Sequence, residues 1–248
     1  MRKRENFFCF SVFVSYICAC IYNAKSMTQR EKIVDQVSQM ILSLGVKSVR
    51  MDDVANSLCM SKRTLYEMFG DKEELLTESI IYLMNRQQQN LTERVKGCSN
   101  MLEVLLMSVR ILTNDGHLGE TEKRLTANLR KFYPAVLEKV QRVHSEKGLA
   151  GLQYALDCCL AEGYLDPNVD VEFMAQLFFA STGVLMTDSK IVLPNGVSRE
   201  EAFGAMVVNF LRGLSTVKGL QVIDEILARE PRPKTLKERR AETNAENN

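Results

Sequence analysis

The stretch Arg50–Leu76, RMDDVANSLCMSKRTLYEMFGDKEELL, predicts two short helices, a tight turn between them and the start of a third helix. Apolar residues recur at helical spacing in both short helices: Val54, Ala55 and Leu58, then Leu65 and Phe69. Ser61 can cap the second helix, because its hydroxyl oxygen can accept a hydrogen bond from a free backbone N–H group of the first turn. This is the layout of a helix-turn-helix, which lays its second helix in the major groove of DNA.

The second short helix carries polar and charged residues on the side opposite Leu65 and Phe69. These residues are Lys62, Arg63, Tyr66 and Glu67. Lysine and arginine side chains neutralise phosphates or read guanine edges, and a tyrosine hydroxyl can donate a hydrogen bond to a phosphate oxygen. Asp71–Glu74 then forms a capping box for the next helix. Lys72 lies in the first turn of that helix, where backbone N–H groups favour an anion, so we expect a DNA phosphate to bind there.

A further helix precedes the motif, with a capping box at Thr28–Glu31 and an apolar stripe that ends at Gly45. Together these segments resemble the DNA-binding domain of the tetracycline-repressor (TetR) family of transcription regulators. The matching segments are Ile33–Gly45, Met51–Ala55, Ser61–Tyr66 and Phe69–Leu76. The resemblance implies an all-α protein, with an N-terminal three-helix DNA-binding domain followed by a larger helical ligand-binding and dimerisation domain. Helical spacing along most of the chain favours the same fold class.

The resemblance also implies that Thr64, Tyr66 and Lys72 contact DNA and that Arg63 lies near base edges. The full set of residues that we expect at the DNA is Lys47, Arg50, Ser61, Lys62, Arg63, Thr64, Tyr66 and Lys72. Two positions depart from the family pattern. Arg50 replaces the threonine that usually caps the helix starting at Met51, a loss of about 0.5–2 kcal/mol. Cys59 replaces the usual glycine of the turn, which is unfavourable if the backbone there has a positive φ.

The charge of the chain is nearly balanced, with 32 lysines and arginines against 31 aspartates and glutamates. A general electrostatic binder of nucleic acids is expected to be more basic. DNA binding must therefore depend on where the cations lie, and we expect modest non-specific affinity with few phosphate contacts per protomer.

Residues 1–26 do not match the rest of the chain. A basic start is followed by an uncharged run from Phe7 to Tyr22, which resembles a signal peptide and is short for a membrane span. Because a regulator of transcription acts in the cytoplasm, we interpret this segment as an extension from a misassigned start, with translation beginning at Met27. A membrane-anchored regulator and a cleaved signal are the alternatives.

The remaining boundaries follow from the helical pattern. We expect a DNA-binding domain at 27–72, an effector-binding and dimerisation domain at 73–228 and a charged, disordered tail at 229–248. Within the second domain, Gly148 and Gly151 predict a kink or an interruption of a long helix.

Two segments, Val171–Met186 and Ala202–Leu214, are apolar on more than one side, so each should be buried on more than one side. In the resembling family the last two long helices pair across a two-fold axis. We therefore expect a homodimer that binds a pseudo-palindromic operator, with Phe179, Met206 and Phe210 at the interface. A thick monomeric core is the alternative.

The resemblance also implies a small-molecule effector in a cavity between the middle helices. The residues that we expect to line it are Met101, Leu105, Tyr154, Met174 and Phe178. Their chemistry predicts a largely apolar ligand, whose binding releases a repressor from its operator. Ordinary core packing would give the same pattern.

Three other functions compete with a ligand-responsive repressor. An enzyme is disfavoured because the sequence has no P-loop, G-x-G-x-x-G, G-x-S-x-G or H-E-x-x-H motif, and His117 and His144 are its only histidines. Cysteines at zinc-binding spacing are also missing, so no metal or other cofactor is expected. The adjacent Cys158 and Cys159 leave open a thiol-responsive regulator. An interaction module without DNA binding is the last alternative, and the intact Ser61–Lys72 segment disfavours it.

Overall fold

A computed structural model of the chain describes residues 27–114, 116–187, 190–229, 235–238 and 241, without the side chains of residues 112–123 and 187. The predictions for residues 1–26, for most of the tail at 229–248 and for the side chain of His117 lie outside the described residues. The described residues form an all-α fold, as predicted, and their only bridge of the β type is an isolated pair, Leu165 and Ser215.

Three helices form the N-terminal unit: α1 at Gln29–Leu44, α2 at Met51–Ser57 and α3 at Lys62–Phe69. The capping box at the start of α1 is present. The Thr28 side chain accepts a hydrogen bond from the Glu31 backbone N–H, and the Glu31 carboxylate accepts one from the Thr28 N–H at 2.7 Å. These reciprocal bonds satisfy backbone donors at the end of the helix and so determine where α1 begins.

Four longer helices follow: α4 at Lys72–Val95, α5 at Met101–Asn114, α6 at Gly116–Phe132 and α7 at Pro134–Ala161. Asp71 caps α4 by accepting a hydrogen bond from the Glu74 backbone N–H at 2.8 Å. Contrary to the prediction, α7 continues through Gly148 and Gly151 without interruption, and both glycines are buried.

The C-terminal part consists of α8 at Val171–Thr187, α9 at Arg199–Leu214 and α10 at Val217–Leu227. Gly219 of α10 lies against the backbone oxygen of Tyr164, where a Cβ atom would be only 2.2 Å away, so a glycine is needed at this contact. None of the helices in the described ranges combines the length and hydropathy needed to cross a membrane.

Two hydrophobic cores organise these helices. The first joins α1, α2 and α3 to the N-terminal half of α4, and it also includes Leu129, Val136, Leu137 and Val140 from the end of α6 and the start of α7. The second lies between α5, α7, α8, α9 and α10. The corner between α6 and α7 thus packs directly against the helix-turn-helix unit.

Candidate DNA-binding surface

Helix α3 is held in place by two apolar side chains and a hydroxyl cap. Leu65 and Phe69 are buried in the first core. The Ser61 hydroxyl accepts a hydrogen bond from the Thr64 backbone N–H at 3.0 Å, as predicted for the cap of this helix. The Ser61 hydroxyl also lies 2.8 Å from that of half-buried Thr64. These contacts fix the direction in which the opposite face of α3 points.

That opposite face is exposed. The Arg63 side chain is 88% exposed, and its Nε donates a hydrogen bond to the Glu67 carboxylate at 2.8 Å. Tyr66 is exposed beside this pair. Lys62 lies at the start of the helix, where its ammonium is 2.9 Å from a carboxylate oxygen of Asp52, and this hydrogen bond raises the pKa of Lys62. The surface therefore presents two cations and a phenol, each cation held by a carboxylate.

The turn before α3 is strained at Cys59, which occupies the position that is usually glycine. Cys59 has a φ of 51°, and no other described residue apart from glycine has a positive φ. Arg50 precedes α2 in an extended conformation and makes no side-chain cap, so the first N–H groups of α2 lack the usual threonine hydroxyl. Arg50 is exposed next to the start of α2.

The last two predicted DNA contacts, Lys47 and Lys72, lie beside aromatic residues at the corner between α6 and α7. Lys47 is exposed in the α1–α2 loop, with its ammonium 5.0 Å from the centre of the Phe132 ring. Lys72 is half-buried, and its ammonium donates a hydrogen bond to the Tyr133 hydroxyl at 2.8 Å. Sequence reasoning had no signal for these aromatic partners, which are more than 60 residues away from Lys72 or Lys47 along the chain.

The residues predicted to line an effector site divide into two groups. Leu105 and Phe178 are buried in the second core, and Met101 and Met174 pack against it while partly buried. Tyr154 differs, because 48% of it is exposed on the outer side of α7. The structure thus brings four of the five predicted residues to the same core and leaves Tyr154 at the surface.

The predicted interface residues Phe179, Met206 and Phe210 are half-buried and pack against the second core. The Phe210 ring centre lies 4.3 Å from that of Phe178. The most exposed bulky residues of α8 are instead Phe173, Leu177 and Val184, at 58%, 48% and 52%. Their spacing of four and seven residues places them on one face of the helix, a signal that was readable in the sequence.

A narrow cleft between α4 and α7 was not anticipated. It is lined by Ile81, Met84, Asn85, Gln88, Val140, Val143, His144 and Lys147. His144 is buried although charged residues surround it in the sequence. Burial lowers its pKa to about 3, with a smaller contribution from the charge of Lys147. Among the described residues, no group of three or more histidine, cysteine, aspartate or glutamate side chains could hold a metal ion.

Residues 33–78 match the sequence model of a family described as bacterial regulatory proteins, tetR family. Solved structures share the overall fold. One is a protein from Mesorhizobium loti described as a TetR-family transcriptional regulator, with a TM-score of 0.52 and 20% identity over 77% of this chain and 100% of the other.

Two transcriptional regulators from Cytophaga hutchinsonii are also similar. One, described as of the TetR family, has a TM-score of 0.53 and 14% identity over 77% of this chain and 99% of its own. The other has a TM-score of 0.56 and 16% identity over 75% of this chain and 98% of its own. At these identities the similarity concerns the fold alone. No curated protein matches the chain in sequence.

Proposed function

We propose that this chain is a repressor of the TetR family, whose sequence model matches residues 33–78, and that it binds its operator as a homodimer and is released by a small, largely apolar ligand. The observation that carries the DNA-binding part is the face of α3. Arg63 and Tyr66 are exposed there, while Leu65 and Phe69 seat the helix on its neighbours. Such a protein acts on the chromosome, and we therefore place it in the cytoplasm.

The contacts with DNA divide into two kinds. Arg63 is suited to reading a guanine edge, since the guanidinium group can donate two parallel hydrogen bonds. Tyr66, Lys47, Arg50 and Lys72 are suited to phosphates, which fix the position of the protein but carry no sequence information directly. Ser61, Lys62 and Thr64 form the start of the recognition helix. We expect them to lie between the residue that reads a base edge and the residues that bind phosphates.

The dimer is supported by the outer face of α8. Phe173, Leu177 and Val184 lie on one face of α8, and each is about half exposed in the single chain. Covering such a face removes apolar surface from water, at about 25 cal/mol for each Å². In the proposed dimer this face meets the partner's α8 and α9, with Phe179, Met206 and Phe210 packed beneath it.

The ligand site is proposed in the second core, at Met101, Leu105, Met174 and Phe178. The buried lining is apolar, which favours a ligand with few charges, and methionine side chains adapt to irregular shapes. Tyr154 would reach such a ligand only after a change of its side-chain position.

Release from DNA follows from a two-state equilibrium of the dimer. A form competent for the operator holds the recognition helices about 34–36 Å apart, one turn of B-DNA. A ligand that prefers a different spacing lowers the affinity for DNA, typically by a coupling of about 1–3 kcal/mol. Helix α4 transmits the change, because it packs on α7, which contributes to both cores, and carries Lys72.

In vitro selection from random duplexes with the full chain should yield a pseudo-palindromic sequence. The double variant Arg63→Ala and Tyr66→Ala should lose binding to this sequence, since both outward groups of α3 are removed, and should remain dimeric. Lys96→Ala is the control, because this lysine lies at the far end of α4 with Glu93 as its partner. Unchanged binding by the double variant, measured by mobility shift, would rule out α3 as the recognition helix.

A further inference from the structure

Three lysines converge on two adjacent aromatic residues at the α6–α7 corner. The Lys72 ammonium donates a 2.8 Å hydrogen bond to the Tyr133 hydroxyl. The ammonium groups of Lys47 and Lys131 lie 5.0 Å and 5.2 Å from the centre of the Phe132 ring. Lys47 precedes α2, Lys72 begins α4 and Lys131 lies in the last turn of α6, so the corner gathers cations from three separate segments.

These cations differ from Lys62 and Lys139, which also lie near the helix-turn-helix unit. Lys62 and Lys139 are paired with the carboxylates of Asp52 and Glu74 at 2.9 Å and 2.7 Å. Within the described ranges, Lys47, Lys72 and Lys131 have aromatic partners and no carboxylate. An aromatic ring or a phenol orients an ammonium group without cancelling its charge. The corner therefore keeps positive charges close together at a surface of the molecule.

The Tyr133 hydroxyl adds a donor to this group. Its oxygen accepts the hydrogen bond from Lys72, so its own hydrogen remains available for another acceptor. A phosphate oxygen placed beside it could accept from both the hydroxyl and the ammonium, and hydrogen bonds of this charged kind are stronger than those between neutral groups. The Lys131 side chain is exposed and is oriented by the Phe132 ring.

The corner is also held firmly against the DNA-binding unit. Leu129, Val136 and Leu137, on either side of it, are buried in the first core. The Lys139–Glu74 ion pair joins the start of α7 to the first turn of α4. The positions of Lys131 and Tyr133 relative to Lys47 and Lys72 are thus set by packing.

We propose that the α6–α7 corner is part of the DNA-binding surface: Lys131 and Tyr133 bind the phosphate backbone together with Lys47 and Lys72. This inference depends on the proposed function. Each half of the operator is then contacted by the helix-turn-helix unit and by the following helices. Any ligand-bound form in which the corner moves away from α4 no longer holds these phosphates, which gives the effector a direct route to the DNA affinity.

The test is the salt dependence of binding to the selected operator duplex, measured by fluorescence anisotropy with the full chain. Lys131→Gln should reduce the slope of the logarithm of the binding constant against the logarithm of salt concentration by about 0.9 for each phosphate that the variant no longer neutralises. Lys96→Gln serves as the control, because it removes the same charge from an exposed lysine at the far end of α4. Equal slopes for Lys131→Gln and the parent would overturn the proposal.

The joint role of Tyr133 and Lys72 is tested by a double-mutant cycle. Tyr133→Phe keeps the ring and its packing, so the variant should remain folded and dimeric while operator affinity falls roughly threefold to tenfold. In the background of Lys72→Met, Tyr133→Phe should have a much smaller effect. Tyr164→Phe is the control. The ring centre of Tyr164 lies 4.5 Å from the Lys218 ammonium, and this substitution should leave operator affinity unchanged.

Independent, additive effects of the Lys72 and Tyr133 substitutions would contradict a shared phosphate. If the parent protein selects no duplex, the proposed function fails, and this inference fails with it. If the parent binds its duplex while the Lys131 and Tyr133 variants behave as the parent does, only this inference fails.

Discussion

Cys59, in the turn between α2 and α3, has a backbone conformation that residues with a side chain seldom adopt. Its φ of 51° lies in the left-handed region, where a Cβ atom crowds the following carbonyl oxygen. Glycine has no such contact, which is why the family pattern has a glycine at this place. The turn still forms, because the packing of Leu65 and Phe69 on the first core determines the path of the chain.

Cys59→Gly should increase the free energy of unfolding by about 0.5–1 kcal/mol, because the steric strain at this position is removed. Denaturation by urea would measure the change. Cys59→Ala is the matched control, since it removes the thiol but retains the Cβ atom and hence the strain. A similar gain from the alanine variant would mean that the thiol, not the backbone, is the source of the instability.

Helix α7 has a buried face that the sequence of the helix does not indicate. Glu138, Arg142 and Glu146 recur at four-residue spacing and are typical of a solvated face. His144 lies among them in the sequence, yet it faces α4 and is buried. Burial disfavours the imidazolium, so the folded chain keeps this histidine neutral well below the pH at which an exposed histidine takes up a proton.

His144 should make the folded state sensitive to acid. Its pKa is about 3 when folded and about 6.5 when unfolded. The unfolded chain therefore binds a proton below pH 6.5 that the folded chain does not. Relative to the His144→Gln variant, the parent should lose about 1.4 kcal/mol of stability per pH unit between pH 6.5 and pH 3.

Urea denaturation of both proteins at several pH values measures this difference. Above pH 7.5 both should respond to pH alike, because the histidine is neutral in either state. Parallel stability curves down to pH 4 would show that His144 is not buried as a neutral residue.

The whole molecule consists of two cores joined by α7, on which α4 packs. Helix α4 contributes Leu75, Leu76 and Ile80 to the first core, while α7 contributes Val140 to the first and Leu156 to the second. Binding of a ligand in the second core can therefore act on the first through rigid helices. The exposed apolar face of α8 lies on the part of the molecule that contains the second core.

Leu177→Glu should dissociate the proposed dimer, because a charge in a covered apolar face has no partner and is costly to bury. We expect the dimer dissociation constant to rise at least tenfold and operator binding to fall with it, measured by sedimentation and by mobility shift. The control is Val192→Glu, which places the same charge on a valine that is 90% exposed in the loop before α9. A Leu177→Glu protein that sediments as the parent does would rule out this face as the interface.

Local signals in the sequence were enough to predict the helix-turn-helix. The caps at Thr28, Ser61 and Asp71 involve residues only three positions apart, so they depend on local chain geometry. The apolar residues Leu65 and Phe69 recur at helical spacing, which also showed which side of α3 faces outward. The all-α fold class and the resemblance to the family followed from the same short-range pattern.

Only the tertiary structure decided which distant residues meet. Tyr133 lies 61 residues from Lys72, and no periodicity relates them. The burial of His144 and the exposure of Tyr154 likewise depend on which helix covers each face of α7. Helical periodicity determines which residues share a face, but the packing of that face against other helices depends on the arrangement of the whole chain.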